Sequence, residues 1–594
     1  MQYEWNLSDI YSTDDEYHRK QEEIKELNYA FINKWKHRTD YLTNETVLKE
    51  ALDEYNQIFE KCGTDGDEGY YYWLLSQVRQ NDPLVKARLN KIDEFSKHLE
   101  NETQFFYLNI CKIEEKYRER FLSYEPLSQY RHFLKRAFRE APHLLSDREE
   151  RIMNLKRNPS YYFWVQMTSN MLSRQEAPVL DENKNKVKKP FSAMLSLMNN
   201  KDQSIRDKAA DVFNKILAKN VDIAEVEINS ILYNKMIDDR FRGYERPDTE
   251  RHISDDIETS VVDMLIETVS SRFDISQRYY KLKARLIGKR RLKYHERNVE
   301  YGSFDRAFSF DDSLSLISKV FRQLDSDFAE ILSRFIREER FDVFPRKDKV
   351  SGAFCAHHLR RHPTYILLNH TNRLDDVLTL AHELGHGINN ELIKSKQIAL
   401  NFGTPLSTAE VSSTFMEDFV LKELLKDSDE NMRLALMMKK LNDDVSTIFR
   451  QVACYTFEQE LHNTFRQKGY VSKDEIGQIF QRHMSDYMGD GVEQSKGSEN
   501  WWVYWSHIRT FFYVYSYASG LLISKSLQRS VAKDISFIKA VKDFLSTGLA
   551  DSPQSVFSGL GIDITQKGFW LNGIEEVEEL LNQTEGLAKR LKKI

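Results

Sequence analysis

Cysteine, proline and glycine are all scarce in this chain. Four cysteines occur in 594 residues, and Cys62, Cys111, Cys355 and Cys454 stand far apart with no CxxC pair. That usage excludes a disulfide framework and predicts free, buried thiols in a reducing compartment. Eleven prolines and 22 glycines leave few helix breakers. With abundant Lys, Glu and Leu, the chain reads as mainly α. No window approaches the roughly 18 uninterrupted apolar residues of a membrane span. The opening "MQYEWNLSDIYSTDDEYHRK" has no apolar core of a secretion signal, so a cytoplasmic location is expected. Charge of one sign is not in excess. The net charge of -6 argues against a nucleic-acid or anionic-membrane partner. The basic runs "GKRRLKYHER" (288–297) and "AKRLKKI" (588–594) are read as solvated helix faces. No fixed-period repeat or low-complexity tract occurs.

What is present is length, charge and aromaticity. Hydrophobic residues are 41% and charged residues 30% of the chain, a globular mixture with enough length for more than one domain. From Asp14 to about Leu172 the pattern is of successive charged amphipathic helices. The Asp-rich "DGDEG" (65–69) within it reads as a turn, because no bidentate Glu closes a calcium loop. Helical periodicity fails at "APVLDENKNKVKKPFS" (177–192), a domain boundary or a hairpin beside one. The division expected is an N-terminal helical domain over 1–190 and a catalytic domain over 191–594. The strongest β signal is "GAFCAHHLRRHPTYILLNHT" (352–371), with strands near Ala353–His357 and Thr364–His370.

A helix follows directly, with Asn372 or Asp375 as N-cap, and carries "AHELGH" (381–386). His382 and His386 lie about 40° apart on a helical wheel, and Glu383 about 60° from His386. Two imidazoles at i, i+4 can hold one tetrahedral ion, and the adjacent carboxylate can reach a water molecule on it. A catalytic zinc needs a third protein ligand and an open position. Glu391 is too near and on the wrong face. In "LSTAEVSSTFMEDFV" (406–420), read as a helix capped by Ser407 or Thr408, Glu410 is assigned as third ligand. Glu417, seven residues on, is assigned to orient a ligand histidine from behind.

The aromatic stretch "WWVYWSHIRTFFYVYSYASG" (501–520) reads as a helix. His507, Tyr513, Tyr515 and Tyr517 carry donors that a purely apolar stripe would not need, suited to a developing oxyanion. A core role fits the same pattern.

These motifs together resemble the oligoendopeptidase F branch of the thimet oligopeptidase family of zinc metallopeptidases. The resemblance runs from "WNLSDIYSTDDEY" near the start through "SGAFCAHHLRRHPTYILLNHTNRLDDVLTLAHELGH" and "TAEVSSTFMED" to "HIRTFFYVYSYASG" and "FLSTGLADSPQSVFSGLGIDI". It implies a zincin-like helical ellipsoid split by a deep channel, with a small β-sheet next to the active-site helix. It implies endopeptidase action on short unstructured peptides, with one zinc per chain. His382, His386 and Glu410 would be ligands and Glu383 the general base. His507, Tyr513 and Tyr515 would act on the transition state, and Tyr517 on substrate. Asn389 departs from the pattern, where a third His is frequent. The rival expectations are a zinc carboxypeptidase or dipeptidase of the same fold and a non-catalytic peptide-binding relative. Oligomeric state is left open.

Overall fold

The computed structural model describes residues 3–11, 15–302 and 307–594. Ser12–Asp14 of the N-terminal motif lie outside the described residues. The chain forms two compact units. One is built from Met1–Pro142, Phe304–Lys426 and Leu527–Ile562, the other from His143–Ser303, Asp427–Ser526 and Asp563–Ile594. This differs from the consecutive division at residue 190. The polar stretch there is no linker. It is a hairpin of β1 (Glu176–Leu180) and β2 (Lys186–Pro190), paired antiparallel within the second unit. Its Asn and Asp residues make the turn: the Asp181 carboxylate accepts the Asn183 and Asn185 amides at 2.9 and 2.8 Å.

Helices dominate, as the scarcity of breakers predicts. Six of them position the chemistry: α1 (Gln203–Arg242), α2 (Ser326–Arg337), α3 (Leu374–Lys396), α4 (Val411–Lys426), α5 (Arg450–Lys468) and α6 (Tyr515–Lys533). The 40 residues of α1 span about 60 Å at 1.5 Å per residue. Its ends are well specified. Asp202 caps the Ser204 and Ile205 amides, and Gly243 terminates it at φ 70°.

In the first unit, β4 (Phe341–Asp342), β5 (Phe354–Ala356) and β6 (Tyr365–Leu367) form one sheet in the order β4-β6-β5. β6 runs parallel to β4 and antiparallel to β5. All three residues of β6 are buried, so it reads as an unbroken apolar run. The N-terminal segment docks on this sheet. The Trp5 indole donates to the Ile366 carbonyl at 2.9 Å, and the Tyr365 hydroxyl to the Asn6 carbonyl at 2.7 Å. Ile10, Tyr11, Tyr70, Leu74, Ala356 and Tyr365 share one core cluster there.

The basic stretch 288–297 is not a solvated helix face. Leu292–Lys293 is a short strand, β3, parallel to β7 (Val492–Glu493), and Tyr294–Arg297 is buried. Glu296, fully buried, pairs with Arg206 at 3.0 Å and with Lys289. The cations are drawn inward by carboxylates that hydropathy alone does not place.

Candidate metal centre and hydrogen-bond donors

Helix α3 starts one residue after Arg373. Neither Asn372 nor Asp375 caps it. Asn372 sits in the left-handed region at φ 64°, and the Asp376 carboxylate gathers the amides of Thr371 and Arg373 at 2.7 and 2.8 Å. The helix passes beneath the sheet with its His382–His386 turn facing α4. Contact between α3 and α4 is the most extensive of any pair of elements. Gly385 makes it that close. A Cβ on Gly385 would lie 2.5 Å from Ser413 Cα and 2.6 Å from the Ser412 carbonyl oxygen. On Gly387 it would lie 2.8 Å from the Phe335 ring.

Glu410 is not inside a helix, as the sequence pattern suggested. It stands after a 3₁₀ turn (Leu406–Thr408) and just before α4, its carbonyl accepting the Thr414 amide at 3.2 Å. The Ser413 hydroxyl donates to its carboxylate at 3.0 Å. From there Glu410 Oε2 lies 3.3 Å from His382 Nε2 and 3.6 Å from His386 Nε2. The three ligand atoms all fall within 4.8 Å of one another. His382 Nδ1 meets Glu417 Oε2 at 3.1 Å, on the ring edge away from Glu410. Glu383 is buried beside them. Glu391 faces elsewhere, pairing with Arg334 and accepting from the Thr364 hydroxyl at 2.9 Å. Asn389 is buried. Its amide donates to the Leu545 carbonyl at 2.6 Å and accepts from the Thr404 hydroxyl at 3.3 Å, a packing role.

The electrostatics favour a cation. Burial pulls the His382 imidazole down, but the Glu410 and Glu417 carboxylates more than offset it and hold its pKa at about 10. Burial pushes Glu410 up, and the two imidazoles overcome it, holding the carboxyl well below the usual range. Glu383 behaves oppositely. Burial raises its pKa, with Glu410 adding to the effect and the two imidazoles opposing it. A pocket that stabilises positive charge between two imidazoles and a carboxylate fits a divalent ion with N,N,O ligation. A second cluster, Asp207, His295 and Glu296, has similar spacing. Its carboxylates are already met by Lys293, Arg206 and Lys289, so it is an ion-pair network.

The aromatic segment is not one helix. It comprises two 3₁₀ turns (Ser498–Val503 and Ser506–Arg509), an irregular link with Phe511 and Phe512 at positive φ, and then α6. The helical-wheel argument therefore fails. Nonetheless His507 Nε2 lies 3.3 Å from the Tyr517 hydroxyl, and the rings of Tyr513 and Tyr517 pack edge-on at 5.3 Å. Tyr515 separates from this group and is corrected to a core residue. It is fully buried, and its hydroxyl donates to Asp255 at 2.8 Å.

The second unit also contains a cavity of about 1460 Å³. Val226, Tyr233 and Phe241 of α1 line it, together with Ile152, Tyr162 and the Arg509–Phe512 segment. Tyr233 and Phe241 are 56% and 63% exposed, so the wall presents large apolar groups to solvent. Nothing in the sequence marked these residues, because their spacing on α1 reads as ordinary core. Among the described residues no helix is long and apolar enough to cross a membrane.

Residues 196–576 match the sequence profile of peptidase family M3, and residues 109–174 that of oligopeptidase F. An oligoendopeptidase F homolog from Borreliella burgdorferi is 25% identical over 95% of this chain and 94% of its own length. Oligopeptidase PepF of Bacillus subtilis is 22% identical over 99% of this chain and 88% of its own. The crystal structure of oligoendopeptidase F from Enterococcus faecium superposes with a TM-score of 0.71 at 17% identity, over 97% of this chain and 99% of that one. The chain belongs to peptidase family M3, among the metallo-endopeptidases of its oligoendopeptidase F branch.

Proposed function

We propose that the metal is one zinc ion, held by His382, His386 and Glu410, and that the chain uses it to cut internal bonds of short, unstructured peptides. The observation that carries this reading is the meeting of His382 Nε2, His386 Nε2 and Glu410 Oε2 around one point, with Glu383 buried beside it. When bound, zinc supplies Lewis acidity toward the scissile carbonyl and acidifies a water molecule. Glu383 takes that water's proton and delivers it to the leaving amine. Its pKa is raised by burial, the direction that strengthens a carboxylate as a base. Glu417 fixes the His382 ring by accepting from Nδ1, leaving Nε2 for the metal. His507, Tyr513 and Tyr517 donate hydrogen bonds to substrate and oxyanion. Their support is mutual contact and the buried Nδ1 of His507, which has no hydrogen-bond partner among the described residues.

The test is a digest of a mixed library of end-blocked peptides by zinc-loaded enzyme, chelated enzyme and Glu383→Gln. Internal cleavage by the loaded enzyme alone is expected. Zinc should stay bound in Glu383→Gln while turnover falls by about 10²–10⁴. Release of only terminal residues from unblocked peptides would instead indicate a carboxypeptidase or dipeptidase. Near-normal turnover by Glu383→Gln would overturn the mechanism.

A further inference from the structure

Between His507 and Tyr513 the backbone does something that L-residues avoid. Phe511 and Phe512 both occupy the left-handed region, at φ 44° and 55°. One bulky residue there is an outlier, and two in succession mark a segment that relaxes unless it is held. The surroundings hold it at each step. The Tyr161 hydroxyl donates to the Arg509 carbonyl. Arg251 donates to the Thr510 carbonyl at 3.1 Å and the Phe511 carbonyl at 3.3 Å. The Arg509 guanidinium is clamped by Glu227 of α1 through two bonds of 2.7 Å. The Phe512 ring is buried between Tyr455 and His462.

The remaining contact is of a different kind. Glu458 of α5 is fully buried, and its Oε2 accepts the Phe512 amide at 2.7 Å. Its Oε1 has no partner among the described residues. No lysine, arginine or histidine forms an ion pair with it there. Arg251, whose charge the carboxyl feels, is engaged by Asp255 and the loop carbonyls. Burying a carboxyl this way is costly, and an apolar residue would fill the space more cheaply. The one hydrogen bond Glu458 makes is to the second strained residue, directly before Tyr513.

We propose that Glu458 is a positioning residue for this peptidase: its carboxyl holds the Phe512 amide and so fixes the left-handed turn that sets Tyr513 against His507 and Tyr517. The proposal rests on the reading of Tyr513 as a donor to the reacting peptide. Without the acceptor, the Phe512 amide is left buried and unpaired, the turn relaxes, and the Tyr513 hydroxyl leaves its place. The metal ligands belong to other elements and are untouched.

The experiment is a double-mutant cycle on full-length, zinc-loaded enzyme with a quenched peptide substrate, comparing Glu458→Met, Glu458→Gln, Tyr513→Phe and Glu458→Met/Tyr513→Phe. Glu458→Met should lower kcat at least about tenfold, with KM within about threefold and zinc content unchanged. Glu458→Gln keeps a carbonyl acceptor for the Phe512 amide and should restore kcat to within about threefold of the parent. The double variant should be no slower than Tyr513→Phe alone, because both substitutions remove one contribution. Should Glu458→Met yield no soluble protein, Glu458→Asp, which withdraws the carboxyl by one methylene, takes its place under the same criteria. Multiplicative losses in the double variant, or full kcat in Glu458→Met while Tyr513→Phe is slow, would overturn the proposal. Full kcat in Tyr513→Phe would instead remove the donor reading beneath it.

Discussion

Replacing Gly385 by alanine tests how the metal centre is assembled. The new Cβ would sit 2.5 Å from Ser413 Cα, 2.6 Å from the Ser412 oxygen and 2.8 Å from the Ser412 carbonyl carbon. Carbon atoms in contact prefer about 3.5–4.0 Å, so the overlap is about 1 Å or more. All three opposing atoms are backbone, so no rotamer change relieves it. The start of α4 must retreat from α3. Glu410 moves with it, because Ser413 donates to its carboxylate and Thr414 to its carbonyl. Metal–ligand distances tolerate about 0.2 Å, far less than this displacement. Zinc affinity should therefore fall about 10–100-fold, the range seen when a supporting contact of a metal ligand is lost. Stability should fall by about 1–3 kcal/mol from overpacking, offset by up to about 1 kcal/mol because alanine favours helix over glycine. Chelator competition reads the affinity and thermal denaturation the stability. Gly387→Ala is the control. Its Cβ would meet the Phe335 ring and no backbone of α4, so the position of Glu410 and the zinc affinity should hardly change. If Gly385→Ala binds zinc within twofold of the parent, Gly385 does not set the ligand geometry.

Other outcomes follow from the same contacts. The purified chain should hold about one zinc, and His382→Ala or Glu410→Ala should lower occupancy measured by elemental analysis; unchanged occupancy in Glu410→Ala would shift the third ligand to Glu417. Tyr513→Phe should cost about 10²–10³ in kcat, whereas Tyr515→Phe should lower the melting temperature and leave kcat near normal, since its hydroxyl serves Asp255. Burial lifts Glu458 from 4.5 to about 8, so the folded state holds a proton that the unfolded state releases. Its contribution is fully present below about pH 4.5 and lost as pH rises through about 8. Denaturant titrations across that window should show stability falling with pH, and a shallower fall in Glu458→Gln; an unchanged slope would show that Glu458 does not titrate there.

The metal helix was legible because its chemistry is local. His382, Glu383 and His386 share one turn, and helical spacing alone brings them together. The β signal before it was legible too, although the strands proved shorter than their apolar runs. Glu410 meets the two histidines from a different local structure than expected, after a 3₁₀ turn and ahead of α4. His507, Tyr513 and Tyr517 come together for a reason other than helical spacing. His507 and Tyr517 meet through a strained turn, and a helical wheel has no representation of that. Tyr515 shows the limit most directly, because its partner Asp255 lies 260 residues away. Glu458 and Glu227 are fully buried, and nothing in their sequence surroundings marks them. The compact units interleave along the chain, while the two family-model matches, 109–174 and 196–576, fall on either side of residue 190.

The interleaving of the two units has a consequence for how the protein comes into being. Three segments make each unit, so the growing chain switches between them five times. Neither unit is complete until residues beyond 526 have been made. Leu545, which receives the Asn389 amide beneath the metal helix, emerges more than 150 residues after its partner. At the ribosome the early segments must wait, partly ordered, for partners still unmade, a situation that favours chaperone dependence and slow, non-local closure. The segment 304–426, which carries His382, Glu383, His386, Glu410 and Glu417, has its chemistry in one continuous piece. If metal binding assists assembly, zinc supplied during refolding should speed recovery more than zinc added afterwards.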